Sequence, residues 1–120
     1  MPSLKRLIKS FKHAFKGLFH VLKTEQNFRI QLIAALAVII LSIYFRVKPW
    51  EAVALILVIL MVLVLELLNS IFERLVDILK PRVHYYIRVI KDIMAATVLL
   101  ASLAAIVIGL IIFWPYFTKI

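Results

Sequence analysis

The chain has 120 residues, of which 65% are hydrophobic and 18% charged, and its 15 lysines and arginines against 6 acids give a formal net charge of +9. This composition is too apolar for an ordinary soluble domain and too rich in aliphatic residues for a disordered chain, so it predicts a small, basic membrane protein. The lack of cysteine excludes disulfides and thiolate chemistry, and two glycines, Gly17 and Gly109, are too few for a glycine-rich phosphate loop.

Residues 1–26 predict an amphipathic helix on the membrane surface. Leu4, Ile8, Phe11 and Phe15 recur at helical spacing, with lysines and arginines between them. Such a helix lies in the headgroup layer with its apolar side down, where anionic lipids add about 1 kcal/mol per basic residue. We expect a membrane anchor, and the alternative left open is that the helix also contacts a phosphate-bearing ligand.

Three apolar runs follow, and each predicts a transmembrane helix. We place the spans at residues 28–46, 52–73 and 92–115. The first apolar run, Ile30 to Phe45, is slightly short of the roughly 17–25 residues that cross a bilayer, and the third is long enough to cross with some tilt. The predicted fold class is therefore an all-α integral membrane protein, with an N-terminal amphipathic surface helix plus three transmembrane helices. All four helices belong to a single membrane-embedded domain over residues 1–120.

The basic residues predict the orientation in the membrane. Residues 1–29 carry seven Lys or Arg and residues 73–92 carry five, whereas residues 46–51 carry two and the segment after the third span carries one. The positive-inside rule places the N-terminus and the 73–92 loop in the cytoplasm. Nucleic-acid binding is the weaker interpretation of this charge, because the basic residues are spread over a surface helix beside three spans, and we expect no nucleic-acid partner.

The few acids predict the functional site. Glu66 interrupts the second apolar run, and an acid inside a span indicates function by default. Asn69, Ser70, Glu73 and Asp77 follow it at +3, +4, +7 and +11, which places all five on one helical face. A stripe of carboxylates needs cations, and Mg²⁺ held together with substrate phosphates fits its oxygen ligands. We expect Glu66 to act as a proton acceptor.

Two further pairs of charged residues stand at the same predicted depth. Glu25 and Arg29 come just before the first span, and Lys91 and Asp92 come just before the third. A lysine beside carboxylates can hold a nucleotide phosphate and neutralise charge in phosphoryl transfer. These pairs therefore extend the predicted site to all three spans.

Four short segments carry a recognisable pattern: ELLNSIFERLVD at 66–77, KDIMAA at 91–96, KG at 16–17 and EQNFR at 25–29. They resemble the E-x-x-N-[ST]-x-x-E-x-x-x-D, K-D-x-x-[AS]-A, K-G and E-x-x-x-R positions of the bacterial diacylglycerol kinase family, which includes the undecaprenol kinases. The resemblance covers residues 6–112. It implies a lipid kinase of the bacterial inner membrane, a homotrimer with composite sites, that uses Mg-ATP and a membrane lipid alcohol.

The resemblance also implies a role for each matching residue. Glu66 would be the catalytic base, and Glu66 and Arg29 would contact the lipid substrate. Glu25 and Glu73 would hold Mg²⁺ on ATP. Contacts to ATP are implied for Arg6, Glu25, Glu73, His84, Lys91 and Asp92. Supporting roles are implied for Gly17, Asn69 and Asp77. Residues 23–30 look more like undecaprenol kinases, so undecaprenol is favoured over diacylglycerol as the substrate.

Two functions of other classes stay open at this point. Glu66 could be the exchanging acid of a small proton-coupled transporter, although the carboxylate stripe and Lys91 would then be unexplained. Alternatively the chain is a non-catalytic membrane subunit, in which Glu66 and Asn69 join helices through hydrogen bonds. For Asp77 the alternative is an ion pair in a solvated loop.

Overall fold

A computed structural model describes residues 3–79 and 84–119, and these residues form four helices. They are α1 (Leu4–Thr24), α2 (Gln26–Phe45), α3 (Pro49–Leu79) and α4 (His84–Thr118). Helices α2, α3 and α4 are each long and apolar enough to cross a membrane. The predicted fold class, an all-α membrane protein with three transmembrane helices, is confirmed.

Helix α1 is separated from the spans by a break at Glu25. Ser3 caps its first turn, since the Ser3 hydroxyl accepts a hydrogen bond from the backbone N–H of Arg6 at 3.2 Å. No residue of α1 is buried, although its apolar side chains include Phe11 and Phe15, which are 58% and 67% exposed. An amphipathic helix with an uncovered apolar face fits the predicted position on the membrane surface.

Helix α3 is longer than the membrane is thick. Its 31 residues extend over about 46 Å at 1.5 Å per residue, against a hydrocarbon core of about 30 Å. The predicted loop over 73–92 is therefore wrong for most of its length, because α3 continues to Leu79 and α4 begins at His84. Those charged residues of this segment that the structure describes, Glu73, Arg74, Asp77, Arg88, Lys91 and Asp92, lie on helices and not on a solvated loop.

The apolar core lies at the end of the bundle where α2 ends and α3 begins. Leu55 of α3 packs with Ile112 and Phe113 of α4 in a buried cluster. The ring of Phe45, the last residue of α2, lies 6.3 Å from the ring of Phe113 and 5.6 Å from that of Tyr116, centroid to centroid. Packing at this end therefore joins all three spans.

A buried acid also stabilises the packed end. Glu51, in the first turn of α3, is 7% exposed. Its carboxylate accepts a hydrogen bond from the backbone N–H of Lys48 at 2.9 Å and another from the hydroxyl of Tyr116 on α4. Both contacts satisfy the carboxylate locally, so Glu51 has a structural explanation that does not involve the acids at the opposite end.

Candidate functional site

Three acidic side chains come together where α1, α2 and α3 meet. Glu25 lies at the corner between α1 and α2, in extended backbone conformation, and Glu66 and Glu73 lie on α3. The charges of Glu25 and Glu73 are near enough to act on Glu66. The structure therefore assembles three carboxylates that the sequence separates by up to about 50 positions.

Glu66 is buried and is tied to α2. Glu66 is 2% exposed. Its carboxylate oxygen Oε2 accepts a hydrogen bond from Nε2 of Gln31 on α2 at 3.4 Å. This contact fits both a positioned catalytic carboxylate and the interhelical hydrogen bond of a structural role. What distinguishes the site from a simple helix contact is the set of charges around it.

The amide of Asn69 is directed to Glu73. Asn69 Nδ2 donates to Glu73 Oε1 at 3.4 Å, one helical turn along α3, and both side chains are half-buried. Because residues four apart lie on one face of a helix, the contact follows from the spacing in the sequence. Asn69 thus orients one carboxylate of the cluster.

Arg74 is the cation that faces Glu25. Its Nη1 lies 3.4 Å from Glu25 Oε1 and donates to the Ser70 carbonyl at 3.2 Å and to the Ser70 hydroxyl. Its Nη2 donates to the hydroxyl of Thr24 at 3.2 Å. Ser70, which is 2% exposed, also donates to Glu25 Oε1 at 3.1 Å. One guanidinium therefore joins the end of α1 to α3, using the fork of donors that only arginine offers.

Replacing Arg74 by Met should loosen this corner. We expect backbone amide hydrogen exchange over residues 22–28 to accelerate several-fold. In the variant, opening of this segment no longer has to break the contacts that Arg74 makes with Ser70, Thr24 and Glu25, so it costs less free energy. Arg88→Met, which removes an exposed arginine on α4, is the matched control and should leave exchange in this segment as it was. Equal exchange in both variants would show that Arg74 does not hold α1 in place.

Arg29 caps α1 and does not pair with Glu25. Its Nη1 donates to the backbone carbonyls of Leu22 at 3.0 Å and Lys23 at 2.7 Å. These carbonyls belong to the last turn of α1, where helix carbonyls lack intrahelical partners and the helix dipole favours a positive charge. Arg29 therefore fixes the corner, and its implied contact with the lipid substrate stays a prediction.

Lys91 and Asp77 link α4 to α3 by an ion pair. The Lys91 Nζ lies 3.0 Å from Asp77 Oδ1, and the two side chains are 39% and 60% exposed. Such an exposed pair contributes little stability, so Lys91 can exchange its partner for a phosphate at small cost. Asp92 follows Lys91 on α4 and is exposed.

Two predicted site residues, Arg6 and Gly17, are not brought to the cluster within this one chain. Arg6 lies in the first turn of α1 and Glu25 follows its last turn, which separates them by roughly 28 Å along the helix at 1.5 Å per residue. Gly17 lies midway along α1, with open space where a Cβ would be. The side chain of His84 lies outside the part of the chain that the structure describes.

The donor set fits a magnesium ion that is shared with a ligand. Within residues 3–79 and 84–119, no group of three or more His, Cys, Asp or Glu side chains could hold a metal by itself. Glu25 and Glu73 nevertheless offer carboxylate oxygens, and Mg²⁺ in phosphate-binding sites takes one or two protein carboxylates and completes its shell with phosphate and water. The site therefore suits a cation that arrives with a nucleotide.

A groove runs from the acidic cluster along α2 and α4, and we call it the α2–α4 groove. It has a volume of about 540 Å³ and begins at Ile30 and Gln31. It continues past Val62 of α3 to Phe113 and Phe117 of α4. Apart from Gln31, Ser102 and Trp114, its lining side chains are apolar, so its chemistry suits a hydrocarbon chain.

Sequence reasoning assigned no site role to three residues that shape the site: Gln31, Ser70 and Arg74. Gln31 was visible as a polar residue in the first apolar run, and Ser70 stood on the acidic stripe. Arg74 was visible only as one of many basic residues. The sequence showed that each of these positions is polar, but it did not show which side chain on another helix each one contacts.

Comparison with known proteins identifies a family. Residues 12–113 match the family described as prokaryotic diacylglycerol kinase. The chain is 35% identical over 112 residues to the undecaprenol kinase of Bacillus subtilis, which covers 93% of this chain and 91% of that protein. It is 30% identical over 112 residues to the diacylglycerol kinase of Escherichia coli, with 93% and 92% covered. It is also 34% identical over 112 residues to the diacylglycerol kinase of Haemophilus influenzae, with 92% and 95% covered.

Proposed function

The chain belongs to the prokaryotic diacylglycerol kinase family and is a lipid kinase, and we propose that it transfers the γ-phosphoryl group of Mg-ATP to the hydroxyl of a membrane lipid alcohol. The observation that carries the proposal is the buried carboxylate of Glu66, held by α2 beside Glu25, Glu73 and an apolar groove. The transporter and the non-catalytic subunit leave this combination of groups unexplained.

Glu66 is the general base of the proposed reaction. It accepts the proton of the lipid hydroxyl while the hydroxyl oxygen forms a bond to the γ-phosphorus. The bond from that phosphorus to the bridging oxygen of ADP breaks in line with the attack, and ADP leaves. Burial of Glu66 and its hydrogen bond from Gln31 support this role, because a base must be held in one orientation toward its proton.

Glu25 and Glu73 would hold the magnesium ion, which neutralises charge on the β- and γ-phosphate oxygens when it is bound. A cation at this place would also offset the repulsion among the three carboxylates. Asn69 orients Glu73, and Arg74 together with Ser70 holds Glu25. Each proposed metal ligand therefore has a neighbour that fixes it.

The other nucleotide contacts are assigned to α1 and α4: Arg6, His84, Lys91 and Asp92, with Gly17 and Asp77 in support. Arg6 lies roughly 28 Å from Glu25 along α1, too far for both to contact one ATP. Another copy of the chain can supply Arg6 if the site is shared between protomers. This distance supports composite sites shared between protomers, and the proposed homotrimer itself rests on the family resemblance.

The position of Glu66 on α3 supports a site near the cytoplasmic face. At 1.5 Å per residue, Glu66 lies roughly 22 Å along the helix from Glu51. With Glu51 at the outer boundary of a hydrocarbon core of about 30 Å, Glu66 lies about 8 Å inside its inner boundary, in the cytoplasmic half of the membrane. We place the protein in the bacterial inner membrane, with its N-terminus and active site cytoplasmic.

We propose undecaprenol as the preferred acceptor, with diacylglycerol as the second candidate. The preference rests on residues 23–30, because relatives of both names match the chain at similar identity. Both lipids have a primary hydroxyl on an apolar body, and the α2–α4 groove accepts apolar chains in general. Direct competition between the two lipids decides the point.

The test is phosphate transfer from labelled Mg-ATP in mixed micelles that contain undecaprenol and diacylglycerol together. We expect the label to appear in a lipid monophosphate, and we expect kcat/KM to be higher for undecaprenol than for diacylglycerol. Micelles with neither alcohol are the control and should give no labelled lipid. Labelling of neither lipid by folded protein would reject the proposed reaction, and faster labelling of diacylglycerol would reverse the proposed preference.

A further inference from the structure

In the side-chain amide of Gln31, the nitrogen has a hydrogen-bond partner and the oxygen has none among the described residues. Its Nε2 donates to Glu66 Oε2, whereas its Oε1 is buried and has no hydrogen-bond partner among residues 3–79 and 84–119. Buried polar atoms nearly always have a hydrogen-bond partner. We therefore expect this oxygen to accept a hydrogen bond from a donor that the described part of the chain does not provide.

The surroundings of Gln31 restrict what that donor can belong to. Gln31 lines the α2–α4 groove at the end nearest Glu66, and the groove beyond it is walled mainly by apolar side chains such as Ala35, Val38 and Phe113. A charged ligand would lose its hydration along this path without compensation. A molecule with one O–H group on a long hydrocarbon body satisfies both the open acceptor and the apolar walls.

We infer that Gln31 is a positioning residue for the lipid alcohol: its Oε1 accepts the hydrogen bond of the substrate hydroxyl beside Glu66, and the substrate tail lies in the α2–α4 groove. The inference rests on the proposed kinase function. The hydroxyl first donates to Gln31, and in the reaction the same proton passes to the Glu66 carboxylate while the oxygen bonds to the γ-phosphorus. The bond between that phosphorus and the bridging oxygen of ADP breaks, so atoms and charge balance.

The same amide that receives the substrate also holds the base. Nε2 and Oε1 of Gln31 are fixed to one planar group, so the hydrogen bond from Nε2 to Glu66 sets where Oε1 lies relative to the carboxylate. A hydroxyl bound to Oε1 is therefore placed next to the group that removes its proton, which is the positioning that makes such reactions fast. A shift of either side chain would separate the two acceptors.

The experiment compares Gln31→Leu with wild type in two measurements. In the kinase assay we expect the KM for lipid alcohol to rise about tenfold, the effect of one lost hydrogen bond to a docked ligand, while the KM for Mg-ATP stays within about twofold.

The second measurement is made without ATP. It compares the thermal stabilisation by 1,2-dioctanoylglycerol with that by its 3-O-methyl ether, which lacks the hydroxyl hydrogen that donates. Wild type should bind the alcohol about tenfold more tightly than the ether, and Gln31→Leu should bind them equally.

Two further variants make the comparison decisive. Gln26→Leu makes the same substitution at an exposed position of the same helix and should keep the wild-type ratio of alcohol to ether affinity. Gln31→Met, which is unbranched and of similar length, replaces Gln31→Leu if the latter does not insert or fold.

Each outcome separates this inference from the proposed function. If wild type phosphorylates lipid and the Gln31 variant keeps the wild-type preference for the alcohol, the inference is overturned and the kinase stands. If wild type phosphorylates neither lipid but the preference for the alcohol depends on Gln31, the proposed reaction fails and the alcohol site stands. A Gln31 variant that changes only the oligomeric state would show that a second copy fills the groove, which also overturns the inference.

Discussion

Glu66→Gln is expected to abolish nearly all lipid phosphorylation, with kcat lowered by about 10²–10⁴-fold, the usual contribution of a general base. Glutamine keeps the size of the side chain and can still accept the hydrogen bond from Gln31, so the packing of α2 against α3 survives. What is lost is the ability to take a proton from the lipid hydroxyl. The KM for Mg-ATP should change little, because Glu66 acts on the acceptor and not on the nucleotide.

Glu51→Gln is the matched control for this variant. Glu51 lies on the same helix, is similarly buried at 7% exposed, and pairs with Tyr116 at the opposite end of the bundle. The variant should insert and retain wild-type kinase activity. Steady-state kinetics in mixed micelles measure both variants, with thermal unfolding as a check on folding. A Glu66→Gln protein that retains more than about a tenth of the wild-type kcat would remove Glu66 from the role of base.

The spans and the acidic stripe could be predicted because each depends on a local rule. Apolar runs of sufficient length identify helices that can cross the membrane, and three helices of the described part of the chain are long and apolar enough to do so. The spacing from Glu66 to Asn69, Glu73 and Asp77 matches the helical repeat, and all four lie on α3. No contact between distant segments was needed for either prediction.

The contacts that join the site across helices could not be predicted. Gln31 meets Glu66 from a position 35 residues away, and Arg74 meets Glu25 across the corner of α1 and α2. Which side chains meet depends on how each helix is rotated and crossed against its neighbour, and that is set by packing along the whole bundle. Glu25 and Arg29 are four residues apart, but their spacing did not indicate that Arg29 donates to the carbonyls at the end of α1.

The ends of α3 and α4 show a second limit of sequence reasoning. Charge between residues 73 and 92 predicted a loop, because charged residues end an apolar run. Once α3 has formed across the membrane, however, extending it by further residues adds one hydrogen bond per residue with no new nucleation cost. Leu75, Val76 and Leu79 also continue an apolar face beyond Glu73. The helix therefore continues to Leu79 and holds Glu73 and Asp77 on a rigid support.

Glu73→Gln should lower kcat/KM for Mg-ATP by about 10²-fold, the usual effect of removing one group that stabilises transferred charge. It should also move the dependence of rate on free Mg²⁺ to higher concentration, because one of the two proposed ligand carboxylates has lost its charge. Gln retains an oxygen that can accept from Asn69, so the local geometry is preserved. We prefer Glu73 to Glu25 for this test, since a change at Glu25 would also release Arg74.

The readout for Glu73→Gln is the initial rate as a function of free Mg²⁺ at saturating ATP and lipid. Glu51→Gln again serves as the control, since it removes one carboxylate from α3 at the opposite end and should leave the Mg²⁺ curve unchanged. Glu66→Gln should reduce the plateau of the curve while keeping its midpoint, whereas Glu73→Gln should shift the midpoint itself. An unshifted midpoint in Glu73→Gln would place the metal elsewhere, because a residue that binds the cation must change the concentration at which the cation is bound.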